Sequence, residues 1–353
     1  MKSSHLVLRP AGISDLEAIE RFAAASGYGI NSLPPRRERL VDRIERSQRA
    51  FAATDSPSGE DIYLFVLEDL LAGRVVGTSG ITANAGAQGR FYSYRNEFAL
   101  HVSEELGITN RIHTLRLCQD LSGHTLLTSF YIEPEYVGTM APQILSRARL
   151  LFISQFPTLF SDRLAAESPG LCDENGRSPL WDALGRRFFN MDYAQAELLA
   201  EGRSKSFIGE LMPSSPIYVP LLADEAQWAL GQLHPAGELP FSILLDEGFD
   251  PDTYVDIFDG GPTVEARAAM VNTVFSGKPV TLITDPQSEA DGWYLVGNGQ
   301  RKDFRATLVQ GNLRADLLEL SSEDASRIHA VAGATLHAAR AEWARTLLAE
   351  PQD

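Results

Sequence analysis

The chain has 353 residues, 44% of them apolar and 22% charged, an ordinary globular composition with room for two or three domains and no need of covalent staples. The formal charge is −16, from 47 acidic and 31 basic residues, which excludes a nucleic-acid partner, because phosphate binding needs a basic face. Two cysteines, Cys118 and Cys172, sit in no metal-ligating pattern, no stretch reaches the roughly 18 apolar residues of a membrane span, and the start lacks an apolar leader core, so the expectation is a cytoplasmic protein without metal or membrane contact.

In chain order, residues 5–9 read as a strand. Pro10 and Gly12 break it, and Ser14 or Asp15 caps a helix running LEAIERFAAAS. A basic amphipathic helix, RRERLVDRIERSQRAF, follows Pro34-Pro35. Residues 62–68 and 74–83 are strands about a turn at Leu70–Gly73. Residues 86–110 carry no clean pattern, and 112–118 fit strand or helix. The apolar run TLLTSFYI at 125–132 predicts a strand buried on both faces, followed by a short loop and a long helix, APQILSRARLLFISQF. A strand at 163–167 and a helix at 178–188 come next. Strand-like segments at 206–212 and 216–221 and helices at 223–231 and 239–247 follow. WDALGRRFFNMDY at 181–193 and SILLDEGFDPDTY at 242–254 share a helix, an aromatic and a later Tyr, as a repeat would. Beyond Gly260-Gly261-Pro262, short strands alternate with Gly-rich turns. The expected organisation is α+β, with a mixed sheet flanked by helices over 1–200, a second α/β segment over 201–265 and a small β-rich module over 266–353.

A strand, a short loop and a long helix form the centre of many coenzyme sites, since a helix N-terminus can face phosphate. The strand-loop-helix at 125–153 and the opening LRPAGISDLEAI look like the GCN5-related N-acetyltransferase fold. Seven phrases in order are more specific: SLP at 32–34, YLFVLED at 63–69, FYSYRNEFALHVSEEL at 91–106, SPLWDALGRRFFNMDY at 178–193, IGELMPSSPIYVPLL at 208–222, GQLHP at 231–235 and YVDIFDGGPT at 254–263. Together they resemble the arginine N-succinyltransferase family over nearly the whole chain.

The resemblance implies transfer of a succinyl group from succinyl-CoA to the α-amino group of L-arginine, with ornithine accepted by some members. It is the first step of arginine degradation to glutamate and succinate. Succinyl-CoA would be a cosubstrate, with no permanently bound cofactor. The family's active-site histidine falls on His234, a candidate base because imidazole titrates near neutral pH; a helix-terminal structural histidine is the plainer alternative. The coenzyme would pair with the strand ending at Ile132, with Phe130 contacting succinyl-CoA through its backbone, and its pyrophosphate would meet Val137, Gly138 and Thr139. The family's arginine and paired glycines are missing there, as expected of the α chain of a two-chain enzyme whose β subunit keeps the loop. Homo-oligomers, a catalytically weak supporting subunit and an acyltransferase for another amine are the alternatives. Arg95 with Glu97, and Asp256 with Asp259, are candidates for holding the charged ends of the substrates, against the plainer readings of ion pair and turn cap. His101 and His113 are weaker cleft candidates.

Overall fold

The N-terminal third follows its hydrophobic periodicity. This is a computed structural model, and it describes residues 5–26, 32–54, 59–87, 89–200, 206–284, 286 and 288–349. Strand β1 (Leu6–Pro10) leads to helix α1 (Leu16–Ser26). The entry to α1 is fixed by Asp15, whose carboxylate accepts the Gly12 amide at 2.8 Å and two bonds from Arg9. Helix α2 (Arg37–Ala52) buries Leu40, Ile44, Ser47 and Phe51, one stripe at helical spacing. That stripe packs on β2 (Ile62–Asp69), and the Ser47 hydroxyl accepts the Leu64 amide. β3 (Arg74–Thr82) returns after a turn in which Asp69 Oδ1 accepts the amides of Leu71 and Ala72.

Residues 86–110, patternless in sequence, contribute to a long hairpin of β4 (Ser93–Ser103) and β5 (Ile108–Cys118), paired from Ser93↔Cys118 to Ser103↔Ile108. Its outer half is exposed on both faces, so no polar–apolar alternation marks it: Leu100 is 67% and Val102 60% exposed. β6 (Thr125–Ile132) lies between β3 and β7 (Arg163–Glu167), as its apolar run predicts. Between β6 and β7 in sequence comes α3 (Ala141–Gln155). Apart from Gln143, every residue of α3 from Ala141 to Ile153 is buried, so it is a core helix.

Past β7 the helix expected over 178–188 is present, helical from 179 to 189, with a π-helical turn at Trp181–Gly185 running into α4 (Arg186–Phe189), and α5 (Tyr193–Ala200) follows; the next two expectations fail. The strand expected at 206–212 is helix α6 (Ser206–Leu211), and Gly209 lets it approach Tyr92 so closely that a Cβ there would lie 2.1 Å from the phenol oxygen. Of 216–221 only β8 (Ile217–Tyr218) is strand, because Pro220 ends the ladder in a 3-10 turn. Helices α7 (Asp224–Ala229) and α8 (Glu238–Asp246) occur as expected, then β9 (Asp250–Val255) and β10 (Pro262–Arg267). The two similar phrases are not a structural repeat: Tyr193 begins a helix, whereas Tyr254 lies within β9.

The last part comprises α9 (Asn272–Ser276), β11 (Lys278–Thr284), β12 (Gly292–Asn298), β13 (Ala306–Arg314), β14 (Leu317–Leu320), α10 (Ser322–Arg327), β15 (Thr335–Arg340) and α11 (Glu342–Ala349). The strands link in the order β12-β15-β11-β14-β13-β1-β2-β3-β6-β7-β10-β9-β4-β5-β8, with β12 also bonded to β13. That extra pairing closes the five C-terminal strands into a barrel around Val280, Tyr294, Val309 and Leu336, and removes their free edges. β1 touches the barrel at Leu8↔Ala306, and the Thr307 hydroxyl donates to the Leu6 carbonyl. β9 and β10 lie between β7 and β4, so one sheet crosses the domain boundary expected near residue 200. Among the described residues no helix is long and apolar enough to cross a membrane.

Candidate active site

β6 and β7 run parallel and pair only at Thr125↔Leu164 and Leu126↔Ala165. Beyond them β6 stays with β3 while β7 stays with β10, so the strands diverge. Past Leu126, β6 has no strand partner on the β7 side among the described residues. A wedge between two splayed strands, floored by main-chain groups, can take an extended ligand as an added strand. Phe130 and Ile132 lie on this stretch, and both side chains pack into the core around α3, so only their backbone is available to the wedge.

β6 also carries a bulge. Thr78↔Tyr131 and Gly80↔Thr128 are consecutive register pairs, so Ser129 and Phe130 together oppose Ser79. Ser129 has φ of 57°, a left-handed conformation that costs a non-glycine residue about 1 kcal/mol or more. The segment at 32–34 offsets this strain: Ser32 Oγ accepts the Ser129 amide at 2.9 Å. From α2, Arg43 donates to Ser129 Oγ at 2.8 Å and to Thr128 Oγ1 at 3.3 Å. From α3 on the opposite face, Arg149 reaches the Gly80 and Thr128 carbonyls. Reading the sequence singled out neither arginine. The signal for Arg149 was an arginine inside the apolar run ILSRARLLFIS.

His234 stands beside the end of β7. Its amide donates to the Pro169 carbonyl at 2.9 Å, and its neighbour Leu233 bridges to Gly170. It caps the short turn Pro235–Gly237 before α8, with Nδ1 accepting the Ala236 amide at 3.2 Å. An accepting Nδ1 puts the proton of the neutral ring on Nε2. Gly237 is needed here, because a Cβ would meet the Pro169 ring at 2.9 Å.

Asp256 and Asp259 belong to the frame under this segment. Asp259 is buried, its two oxygens accepting the Gly170 and Gly261 amides, each at 2.8 Å. Burial, and then Asp256, push its carboxyl up to about 8 against the lowering effect of those amides. Asp256 Oδ1 accepts the amides of Phe258 and Asp259, which closes the turn before Gly260. Both oxygens of Asp259 and Oδ1 of Asp256 are thus engaged by main-chain amides. Gly261 is required by proximity: a Cβ would lie 2.2 Å from the Ser168 carbonyl.

Arg95 and Glu97 lie elsewhere. β4 is three strands from β7, roughly 14 Å across the sheet. There Arg95 pairs with Glu97 and Asp120, Arg116 with Glu97, and Tyr254 donates to Asp120. His101 and His113 are further out on the hairpin, beside Tyr218 and Asn96. The structure therefore brings together His234, Asp256 and Asp259 beyond the end of β7, the strand parallel to β6, and leaves Arg95, Glu97, His101 and His113 outside that group.

The loop after β6 satisfies itself. The Val137 amide donates to Pro134, the Thr139 amide to Tyr136, and the Ala141 amide to Thr139 Oγ1. Arg74 pairs with both Glu133 and Glu135, and Tyr136 donates to Asp69. Val137, Gly138 and Thr139 are exposed, but few amides remain to cradle a diphosphate. Among the described residues no group of His, Cys, Asp and Glu is arranged to hold a metal ion.

A profile of the family described as arginine N-succinyltransferase beta subunit matches residues 6–273. The arginine N-succinyltransferase subunit alpha of Pseudomonas aeruginosa is 47% identical over 304 residues, covering 86% of this chain and 90% of that protein. Subunit beta of the same organism is 38% identical over 333 residues, covering 94% and 97%. Among solved structures, the arginine/ornithine succinyltransferase subunit AI from Pseudomonas aeruginosa matches with a TM-score of 0.85 and 42% identity, covering 95% of this chain and 98% of that one.

Proposed function

The chain belongs to the arginine N-succinyltransferase family and is an acyltransferase acting on arginine, and from this premise we propose that succinyl-CoA is bound in the β6–β7 wedge and attacked beside His234. The observation that carries the reading is the divergence of β6 from β7, with that histidine hydrogen-bonded to the chain just after β7. We read the wedge as the acyl-CoA cleft of a GCN5-related N-acetyltransferase fold. The pantetheine arm lies along β6 against the backbone of Phe130 and Ile132, and the diphosphate lies toward Val137, Gly138 and Thr139. The neutral α-amine of arginine attacks the thioester carbonyl and the C–N bond forms. The C–S bond then breaks, the nitrogen releases a proton, and the departing sulfur takes one up. With the proton on Nε2, the neutral ring of His234 is set to hydrogen-bond the substrate, and the proton shed by the nitrogen reaches the departing sulfur through solvent; acting as base through Nε2 requires the other tautomer and forfeits the Ala236 bond.

The direct test is thiol release by the purified chain. Succinyl-CoA with arginine is expected to turn over faster than acetyl-CoA with arginine, because the free carboxylate of the succinyl group, which acetyl lacks, offers a cation-paired anchor. Equal rates with both donors would remove the succinyl assignment and keep the acyltransferase. Running ornithine beside arginine reads the amine preference.

The working enzyme is a pairing of this chain with a second, related chain, in keeping with the relatives named as alpha and beta subunits. We assign the contact to the β4–β5 hairpin. Phe98, Leu100 and Val102 share one of its faces, 53–67% exposed. In the double variant Leu100→Glu and Val102→Lys, the sedimenting species should fall to one chain and turnover should drop with it. A wild-type enzyme that is fully active as a single chain would rule this contact out.

A further inference from the structure

We propose that Arg149 is a positioning residue that holds the β6 bulge open and so sets the strand's backbone for the acyl donor. The inference rests on the reading that the donor lies in the β6–β7 wedge.

Arg149 projects from the buried face of α3 and is 2% exposed. An ionised side chain there is expensive unless it is paired. Yet no carboxylate among the described residues bonds to it. Its Nε donates to the Ser146 carbonyl at 3.2 Å and its Nη2 to Ser146 Oγ at 3.4 Å. Its Nη1 donates to the carbonyls of Gly80 and Thr128, at 3.4 and 3.2 Å. These two residues form the register pair on the near side of the bulge. Burial alone shifts the guanidinium, down to about 9, in keeping with the absence of an anion beside it.

If core volume were the only requirement, a leucine or methionine would serve at lower cost. What the guanidinium adds is an Nη1 that bridges one carbonyl on β3 and one on β6 where the extra residue interrupts the ladder, held in place by the bonds of Nε and Nη2 to Ser146. The phenyl ring of Phe130, the second bulge residue, lies beneath the guanidinium at 5.9 Å. On the other face Ser32 and Arg43 hold Thr128 and Ser129 through the bonds described above. The bulge is therefore clamped from both faces, and only the edge toward β7 is left to a ligand. Without the guanidinium, Ser129 can relax from its left-handed conformation and the ladder can re-register, which moves the backbone at Phe130. A shift of about 1 Å at a reacting carbonyl is worth roughly a hundredfold in rate.

The test uses the assembled enzyme and four proteins: wild type, Arg149→Met, Arg149→Lys, and Leu318→Ala as a control with a cavity in the barrel core, remote from β6. Amide exchange across residues 127–132 is measured with and without succinyl-CoA, together with melting temperature, KM for the donor and kcat. Wild type is expected to gain protection over 127–132 on binding the donor. Arg149→Met should lose much of that protection and raise the donor KM roughly tenfold or more, with a smaller change in the arginine KM. Arg149→Lys should recover part of the effect, because its ammonium keeps a charged donor near the two carbonyls but loses the bonds that Nε and Nη2 make to Ser146. If Arg149→Met does not fold, Arg149→Lys carries the same comparison. Should Leu318→Ala at a similar melting temperature raise the donor KM equally, or should both Arg149 variants keep the wild-type KM and protection, the positioning role is overturned. An absence of protection over 127–132 in wild type would instead overturn the placement of the donor in the wedge.

Discussion

Replacing His234 by alanine is expected to lower turnover by about 10²–10⁴-fold, the range lost with a placed proton-transfer group. The fold should tolerate the change, since the imidazole is half-buried at a turn and its side-chain bond is to one amide, that of Ala236. Loss of such a cap destabilises by about 1 kcal/mol. Donor affinity should hold, because the wedge is built from β6 and the histidine stands on the β7 side. The decisive pair of measurements is single-turnover acyl transfer beside the melting curve. A folded His234→Ala that transfers succinyl at near the wild-type rate would make the residue a cap and nothing more. The glutamine variant adds a finer reading, because its amide can donate from about the Nε2 position but cannot give up a proton. A fall as deep as that of alanine points to proton transfer, and a shallow fall to hydrogen bonding alone.

Glu247→Ala should give the largest loss of stability, about 3–5 kcal/mol, the scale for breaking one half of a buried ion pair. Glu247 ends α8 and is 1% exposed, as is Arg147 of α3. Its Oε1 accepts Arg147 Nε at 2.6 Å and the Thr273 hydroxyl at 2.9 Å, and Oε2 accepts the Thr273 amide at 2.7 Å. Truncation leaves a buried guanidinium with Gln143, a Trp343 ring 4.7 Å away and the exposed Asp246 for company. Because α8 starts at the turn capped by His234, loosening its far end should also weaken catalysis at temperatures below the melting point. Urea titration gives the stability, and the activity–temperature curve shows whether the two losses coincide. A change under 1 kcal/mol would mean that Asp246 swings in to replace the lost carboxylate.

Legibility followed burial. α2, β6 and α3 could be read in advance because their apolar residues are buried in a regular pattern, giving a helical stripe, a two-faced strand and an all-round buried helix. The β4–β5 hairpin escaped because a strand with no buried face leaves no alternation, and α6 because six residues are too few to display a period. Site residues divide in the same way. GQLHP marked His234 by its phrase, and Asp256 and Asp259 by theirs, although the work of the two side chains, Asp259 at the Gly170 and Gly261 amides and Asp256 at those of Phe258 and Asp259, is invisible in sequence. Arg95 and Glu97 looked promising for their charge alone, and the sheet order carries them three strands away. Arg43 and Arg149 meet Thr128 from 85 and 21 residues off, respectively, on opposite faces of β6, a convergence that only tertiary structure creates.

The contact of β1 with the barrel has a consequence for biosynthesis. Leu8 meets Ala306, so the first strand made gains its last neighbour only when the thirteenth has been translated. At about 5–20 residues per second, β1 waits on the order of 15–60 s on the ribosome with one ladder edge open. Its sequence, LVLRP, is apolar, and its core side chains Leu6, Val7 and Leu8 are all buried in the finished protein. An unpaired edge of that kind recruits other chains. Arg9 and Pro10 at its far end place a charge and a missing amide on that edge, which limits how far a stray strand could extend along it while the barrel is still being made.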